Sequence, residues 1–432
     1  MCIRIPYGKT WRRADIPARR LAGVVRAEAP EEKTLPDGKE AVEQALARPI
    51  ASLPLRELAR GKKRVVILCS DHTRPVPSRV LLPPMLREIR LGNPQADVTL
   101  LVATGCHRGS TGEELKAKFG EEIYSTEKIA VHDCENEREL ADLGVLPSGG
   151  RLLVNRLAAE ADLLAAEGFI EPHFFAGFSG GRKSVLPGIA GRSCVHYNHN
   201  SAFMDSPFAR TGVLDQNPVH RDMLYAAQKT GLSFIVNAVL DGKGRIRAVF
   251  AGDTDQAHRE GAAFAAQGMT FETIPAPIVI TSNNGYPLDQ NVYQMVKSIS
   301  TAAQTCLPGG VIIAVGACSD GVGGDAFYRM LRDAQSPSAL LEAFRKTPPA
   351  ETKTDQWQAH ILARALENHR VILVSSMDPS RVRDMKLLPA QSIAGALRLA
   401  EDLLGDPFAQ VTVVPEGISV IFKDTSAVKG TG

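Results

Sequence analysis

One repeated pattern constrains this chain more than any other feature: a short aliphatic run, a polar loop, and then helical spacing. Arg64–Cys69 (RVVILC) is too brief and too uniformly apolar for a helix and reads as a buried strand. The loop SDHTRPVPS follows, then Leu, Met and Ile at helical spacing near 78–91. Asp97–Ala103 (DVTLLVA) is a second strand, and the loop TGCHRGSTGEE leads into a helix beginning near Gly112. Alternation of this kind predicts an α/β fold with a mainly parallel sheet, whose ligands gather at the carboxyl ends of the strands.

The rest of the chain extends the pattern. An amphipathic stretch covers 38–60, and residues 151–168 read as helix and then strand. Phe234–Leu240 and Ile246–Phe250, joined by DGKG, predict a β-hairpin, followed by a helix over 255–268. A second α/β series has strands at Ile278–Thr281, VIIAVGA, 370–376 and a terminal pair within 411–422. A helix around 290–306 is expected to stop at Pro308-Gly309-Gly310. At 432 residues the chain exceeds the ~250–300 at which a single core stops growing. The expectation is two α/β domains with mainly parallel sheets, 1–270 and 271–432, and an active site in the cleft between them. The last strands are free to pack back on the first domain.

Composition excludes several function classes. Fifty basic against 48 acidic residues give a net charge of +2, too little for general attraction to nucleic acid or an anionic membrane. No apolar run approaches the ~18 residues of a membrane span, and the N-terminus lacks a secretory signal. A cytoplasmic protein is expected. Seven cysteines, at 2, 69, 106, 134, 194, 306 and 318, contain no CxxC and read as reduced core or near-core thiols.

The histidines fall unevenly: seven of ten lie between residues 72 and 220, several in loops after strands. His107 in ATGCHR and His173 in EPHFF are candidates for moving a proton near neutrality, though either alone is equally a surface or capping residue. FSGGRKS at 178–184 resembles an anion-binding turn, with the adjacent Gly180 and Gly181 letting the backbone approach a phosphate and Arg182 and Lys183 supplying charge. It does not satisfy GxxxxGK[ST]. Lys183 is a candidate covalent attachment point, and a surface charge otherwise. His196 and His199 suggest a metal ligand, yet no carboxylate or cysteine completes a zinc set; one histidine on a soft metal with other ligands from a cofactor fits better. Asp71, His72, Thr73 and Arg74 pack an acid, a hydroxyl and an arginine behind a strand, suited to gripping a carboxylate or phosphate, or merely to a helix cap. Gln294 and Lys297 share a helix face, which is commonplace on a solvated helix.

Taken together, SDHTRP at 70–75, ATGCHR at 103–108, EPHFFAGFSGGRKSVLPGIAG at 171–191, YNHN at 197–200, YQMVK at 293–297 and Trp357 in DQWQA resemble the nickel-pincer lactate racemase family. The matches run in family order from about residue 60 to 360. The resemblance implies racemisation or epimerisation of a 2-hydroxy acid by reversible hydride transfer through a 2-keto acid. It also implies a nickel-pincer nucleotide, a pyridinium-3,5-bisthiocarboxylic acid mononucleotide, attached covalently at Lys183, with His199 as protein ligand to nickel. On the same basis Asp71, His72, Thr73, Arg74, Ser179, Gly180, Gly181 and Trp357 lie against the cofactor, and His107 and His173 are the paired proton carriers. Gln294, Lys297 and Arg74 hold the substrate. The partners implied are a small 2-hydroxy acid and the enzymes that build the cofactor and insert nickel. Lactate, malate, 2-hydroxyglutarate, an aryl-lactate or a sugar acid remain open as substrates. An NAD-dependent dehydrogenase is disfavoured by the missing GxGxxG, and a phosphometabolite-binding protein is the non-enzymatic alternative.

Overall fold

The computed structural model describes residues 1–27, 38–242 and 244–423. The chain forms two compact units. The first comprises Ala29–His199 and Ser206–Gln267; the second comprises Met1–Glu28, Asn200–Asp205 and Gly268–Gly432. Both are α/β and are built on parallel sheets. The N-terminal segment groups with the later sequence because Leu21–Val24 (β1) hydrogen-bonds to Val411–Val414 in the second unit's sheet.

In the first unit the strands are Arg64–Ser70 (β2), Asp97–Ala103 (β3), Lys128–Val131 (β4), Leu163–Phe169 (β5), Leu232–Leu240 (β6) and Ile246–Gly252 (β7). Their order is β7-β6-β5-β2-β3-β4, parallel throughout except for the antiparallel β6–β7 hairpin. The expected hairpin is there, although Lys243 in its turn lies outside the described residues. Every residue of β5 is buried, as a central parallel strand covered on both faces requires. Helix Ser78–Gly92 (α1) lays Leu81, Leu82, Met85 and Ile89 on the sheet; all are fully buried, and this apolar stripe sustains a helix that contains Pro83 and Pro84. Helix Gly112–Phe119 (α2) starts on a capping box made by Thr111 and Glu114.

Residues 151–168 depart from the expected helix and strand. Arg151–Asn155 is already a strand, paired antiparallel with Leu140–Val145, and only one helical turn, Arg156–Ala159, precedes β5. Asn155 caps that turn through Leu157 N (3.0 Å), which ends the strand and starts the helix at one residue.

The second unit's strands are β1, Ala276–Ser282 (β8), Cys306–Val315 (β9), Arg370–Val374 (β10), Leu388–Ala390 (β11) and β12 (Val411–Val414), in the order β11-β10-β9-β8-β12-β1, all parallel. Helix Val292–Ala303 (α4 below, after α3 at Arg192–Asn198) ends before Pro308, and β9 runs through Pro308-Gly309-Gly310 rather than starting after it. The strand bulges there: pairing passes from Ala276–Cys306 to Ile278–Val311, and Gly309 has a φ of 77°. Among the described residues no helix is long and apolar enough to cross a membrane. All seven cysteines are free; five are buried, Cys106 is half-buried and Cys2, contrary to expectation, is exposed.

Candidate active site

The carboxyl ends of β2, β3 and β5, three strands in the middle of the first sheet, carry most of the singled-out residues. Since β2 separates β3 from β5, the loops after the two outer strands start roughly 10 Å apart.

Asp71 follows β2 and is 1% exposed. Its Oδ2 lies 2.7 Å from His107 Nδ1 in the loop after β3, and its Oδ1 accepts from Thr73 Oγ1 at 2.6 Å. Burial pushes the Asp71 carboxyl up, but hydrogen bonds from His107 and Thr73 and the charges of His107 and Arg74 outweigh it and bring it down to about 2. A carboxylate can only accept, so His107 Nδ1 carries a proton and Nε2 of the neutral ring is left as the basic atom. Arg74 reaches back to Thr73 Oγ1 (2.9 Å), and His72 Nδ1 meets Ser110 Oγ (2.9 Å). The role of Asp71 in orienting His107 is not visible in sequence, where the two are far apart.

His173 follows β5 and is set the other way. Its Nδ1 accepts from Ala176 N–H (3.2 Å), so in the neutral ring Nε2 bears the proton; Lys183 Nζ stands 3.5 Å from that Nε2 and accepts from it only as the uncharged amine. Phe175, 4% exposed, gathers the group. The His173 ring meets it edge-on at 4.6 Å, the His199 ring at 5.1 Å, and Lys183 Nζ stands 5.7 Å from its centroid. His199 closes α3 and is 5% exposed. Its Nδ1 donates to Val195 O (2.9 Å), which makes Nε2 the lone-pair atom; burial, and then the Lys183 charge, hold the ring neutral down to about pH 3.

The glycine turn is shaped inward. Gly180 (φ 77°) and Gly181 (φ 54°) take conformations that favour glycine, and a Cβ on either would stand 2.6 Å from Asn237 Oδ1 or 2.8 Å from His258. Gly181 N donates to Asn237 Oδ1 (2.7 Å), while Ser179 Oγ accepts from Glu171 N (2.9 Å) and donates to Phe169 O (3.0 Å). Arg182, expected to offer charge to an anion, is fully buried instead. Its guanidinium donates to Ala176 O (2.7 Å), Gly180 O (3.2 Å) and His220 Nδ1 (2.9 Å), and burial brings it down to about 9. The arginine is therefore the internal brace of the turn that presents Lys183. Beyond that turn, Gly188 O accepts from Gly105 N (2.9 Å), tying the lysine segment to the His107 loop.

In the second unit, Gln294 and Lys297 are both half-buried on one face of α4, whose N-cap Asn291 accepts from Gln294 N (3.0 Å). Half-buried Trp357 opens the neighbouring helix Gln356–Asn368 (α5), which packs on α4 and donates from Gln358 to Tyr293 O. Among the described residues no three His, Cys, Asp or Glu side chains converge on a point that could hold a metal by themselves.

Oriented imidazoles and a lysine at the strand ends of a parallel sheet define an enzyme of the α/β class. The lactate racemase N-terminal domain family matches residues 7–212, and the lactate racemase C-terminal domain family matches residues 271–422. The lactate racemase of Thermoanaerobacterium thermosaccharolyticum is 49% identical over 98% of this chain and 99% of its own length; that of Lactiplantibacillus plantarum is 46% identical over 98% and 100%. The apoprotein structure of the former superposes with a TM-score of 0.94 at 48% identity, covering 98% of this chain and all of that one. A Thermotoga maritima protein shares the fold alone, with a TM-score of 0.62 at 19% identity. The chain belongs to the lactate racemase family and is an isomerase.

Proposed function

We propose that this chain interconverts the enantiomers of lactate, with His107 and His173 as opposed proton carriers. The observation that carries the reading is their opposite Nε2 chemistry: Asp71 leaves a lone pair on His107 Nε2, while Ala176 N–H leaves a proton on His173 Nε2. His107 takes the proton of a substrate hydroxyl at Nε2, and His173 gives one back from Nε2 when its ring is an imidazolium, with a proton on Nδ1 replacing the bond from Ala176 N–H. One turnover leaves the extra proton on His107 and removes one from His173, so turnover in the reverse sense, with the roles exchanged, or proton exchange with solvent restores both rings.

The side chains fit the nickel-pincer nucleotide that the family resemblance implies. His199 offers a neutral Nε2 lone pair fixed in direction by Val195 O, and no complete protein metal site competes with it among the described residues. Lys183 presents its amine from a braced turn beside His173, which suits a covalent link. Such a group, when bound, supplies a hydride acceptor and donor, so that the Cα hydrogen of the acid leaves and returns as hydride. The chain's own part is to hold it at Lys183 and His199, to take the hydroxyl proton at His107 Nε2 as the 2-keto acid forms, and to return a proton from His173. Gln294, Lys297 and Arg74 are assigned to the substrate carboxylate, and His72, Thr73, Ser179, Gly180, Gly181 and Trp357 to the cofactor's surroundings.

The test is intact mass on protein produced together with the cofactor-making and nickel-inserting enzymes. Wild type should carry an adduct and nickel, and Lys183→Ala should carry no adduct; an adduct surviving in the variant overturns the tether. Racemisation near wild type in both His107→Ala and His173→Ala overturns the two-base reading.

A further inference from the structure

The loops leaving β3 and β4 run side by side. The strands pair with Val102 opposite Val131, His132 N donates to Val102 O (3.0 Å), and Thr104 Oγ1 donates to His132 O (2.7 Å). The parallel course brings Cys106 alongside Cys134, near enough for each thiol to influence the other's ionisation. Cys106 is half-buried and so reachable from solvent, whereas Cys134 is 6% exposed. Arg192 N donates to Cys134 O (3.0 Å), and its guanidinium, paired with Glu135 at 2.8 Å, is close enough to feel both sulfurs. Nothing in the proposed chemistry uses these sulfurs, yet Cys106 immediately precedes His107.

We propose that Cys106 and Cys134 are a reactive dithiol whose closure to a disulfide draws the β3 loop towards β4 and takes His107 off Asp71. The neighbouring Cys106 thiol lowers Cys134 to about 7 against the effect of burial, and Arg192 adds positive charge, which favours a thiolate at this pair. The second proton is held more tightly, since Cys106 is raised by its Cys134 neighbour and by burial. The oxidant is a low-molecular-weight disulfide. One sulfur of the pair attacks it as thiolate, breaking its S–S bond and releasing one thiolate. The other cysteine then attacks the mixed disulfide, forms the Cys106–Cys134 bond and releases the second. The two cysteine protons end on the two released thiols; the protein loses two electrons and the reagent gains them.

The consequence for His107 follows from its anchoring. His107 N donates to Thr104 O (3.0 Å), and Gly105 N is tied to Gly188 O (2.9 Å), so the turn holding Cys106 has little slack. A shift of the base by about 1 Å is enough to cost on the order of a hundredfold in rate. The rate effect rests on His107 acting as proposed above; formation of the bond does not.

The reduced full-length chain is incubated with oxidised glutathione and digested without reduction. The expected result is a cross-linked peptide joining residues 106 and 134, with the intact chain lighter by two hydrogens. Holoenzyme treated alike should lose at least tenfold of its racemisation and regain it with dithiothreitol. Cys134→Ser, or Cys134→Ala should the serine variant not fold, should keep basal activity and resist the treatment. Absence of the cross-link overturns the proposal whatever the chain catalyses. Full activity in the cross-linked protein, or equal loss in the Cys134 variants, overturns its coupling to His107.

Discussion

Asp71→Asn isolates the contact that sets His107. The substitution keeps the shape of a 1% exposed side chain and removes only the charge facing Nδ1 at 2.7 Å. The surroundings lower the Asp71 carboxyl from 3.8 to about 2, a net stabilisation of the carboxylate by roughly 2 kcal/mol at 1.36 kcal/mol per unit. Much of that comes from His107 and Thr73, and it rises when the ring becomes an imidazolium in the transition state. Losing about 2 kcal/mol there corresponds to about a thirtyfold fall in rate. If the new amide turns its NH2 towards Nδ1, the ring proton moves to Nε2 and the base is lost, with an effect approaching ~10⁴ as for the equivalent change in a serine protease.

The assay is racemisation from each pure enantiomer, followed by chiral separation. Enantiomers are equal in free energy, so kcat/KM must fall by one common factor in both directions, whichever histidine serves which enantiomer; kcat and KM separately are free to differ. Thr73→Val, which keeps the carboxylate but removes one of its donors (2.6 Å), should cost far less. A rate for Asp71→Asn within threefold of wild type from either enantiomer, with the adduct at Lys183 intact by mass, refutes the orienting role.

Two further outcomes follow from the same geometry. Phe175→Ala should lower stability by about 3–5 kcal/mol, read as a fall in Tm of the cofactor-free chain, and should lower kcat as well because His173, His199 and Lys183 all lean on that ring. Unchanged activity at an unchanged Tm refutes it. The second concerns pH: burial and then the Arg182 charge hold His220 down to about 3 and depress His258, so both stay neutral in the folded chain. The unfolded chain takes up those protons below ~6.5, so their contribution is complete above that pH and is lost as pH falls towards 3. His220 alone removes about 2 kcal/mol by pH 5. Denaturant titrations of wild type and His220→Gln at pH 7 and pH 5 should show the wild type losing more, and parallel losses refute the assignment.

What the sequence disclosed, and what it hid, divides along a physical line. Strands β2 and β3, the β6–β7 hairpin and the helices over 78–91 and 255–268 were legible because period and aliphatic content are local properties, and the α/β class followed from their alternation. The bulge at Pro308-Gly309-Gly310 was not, since the same residues end a helix or loop out of a strand, and only the neighbour β8 decides between them. The site shows the same split. His107, His173, Lys183 and His199 were singled out as titratable groups in loops or beside glycines, but their protonation was not readable, because it is set by an acceptor or donor from elsewhere: Asp71 for His107, Ala176 N–H for His173 and Val195 O for His199. Arg182 was misread for the converse reason. An arginine beside two glycines and a lysine looks like charge offered to a ligand, and only its neighbours in space, Ala176 O, Gly180 O and His220, show it spent inside the protein. Residue types therefore name the chemistry available to this chain, while the direction of each proton belongs to hydrogen bonds that form only once the strands have met.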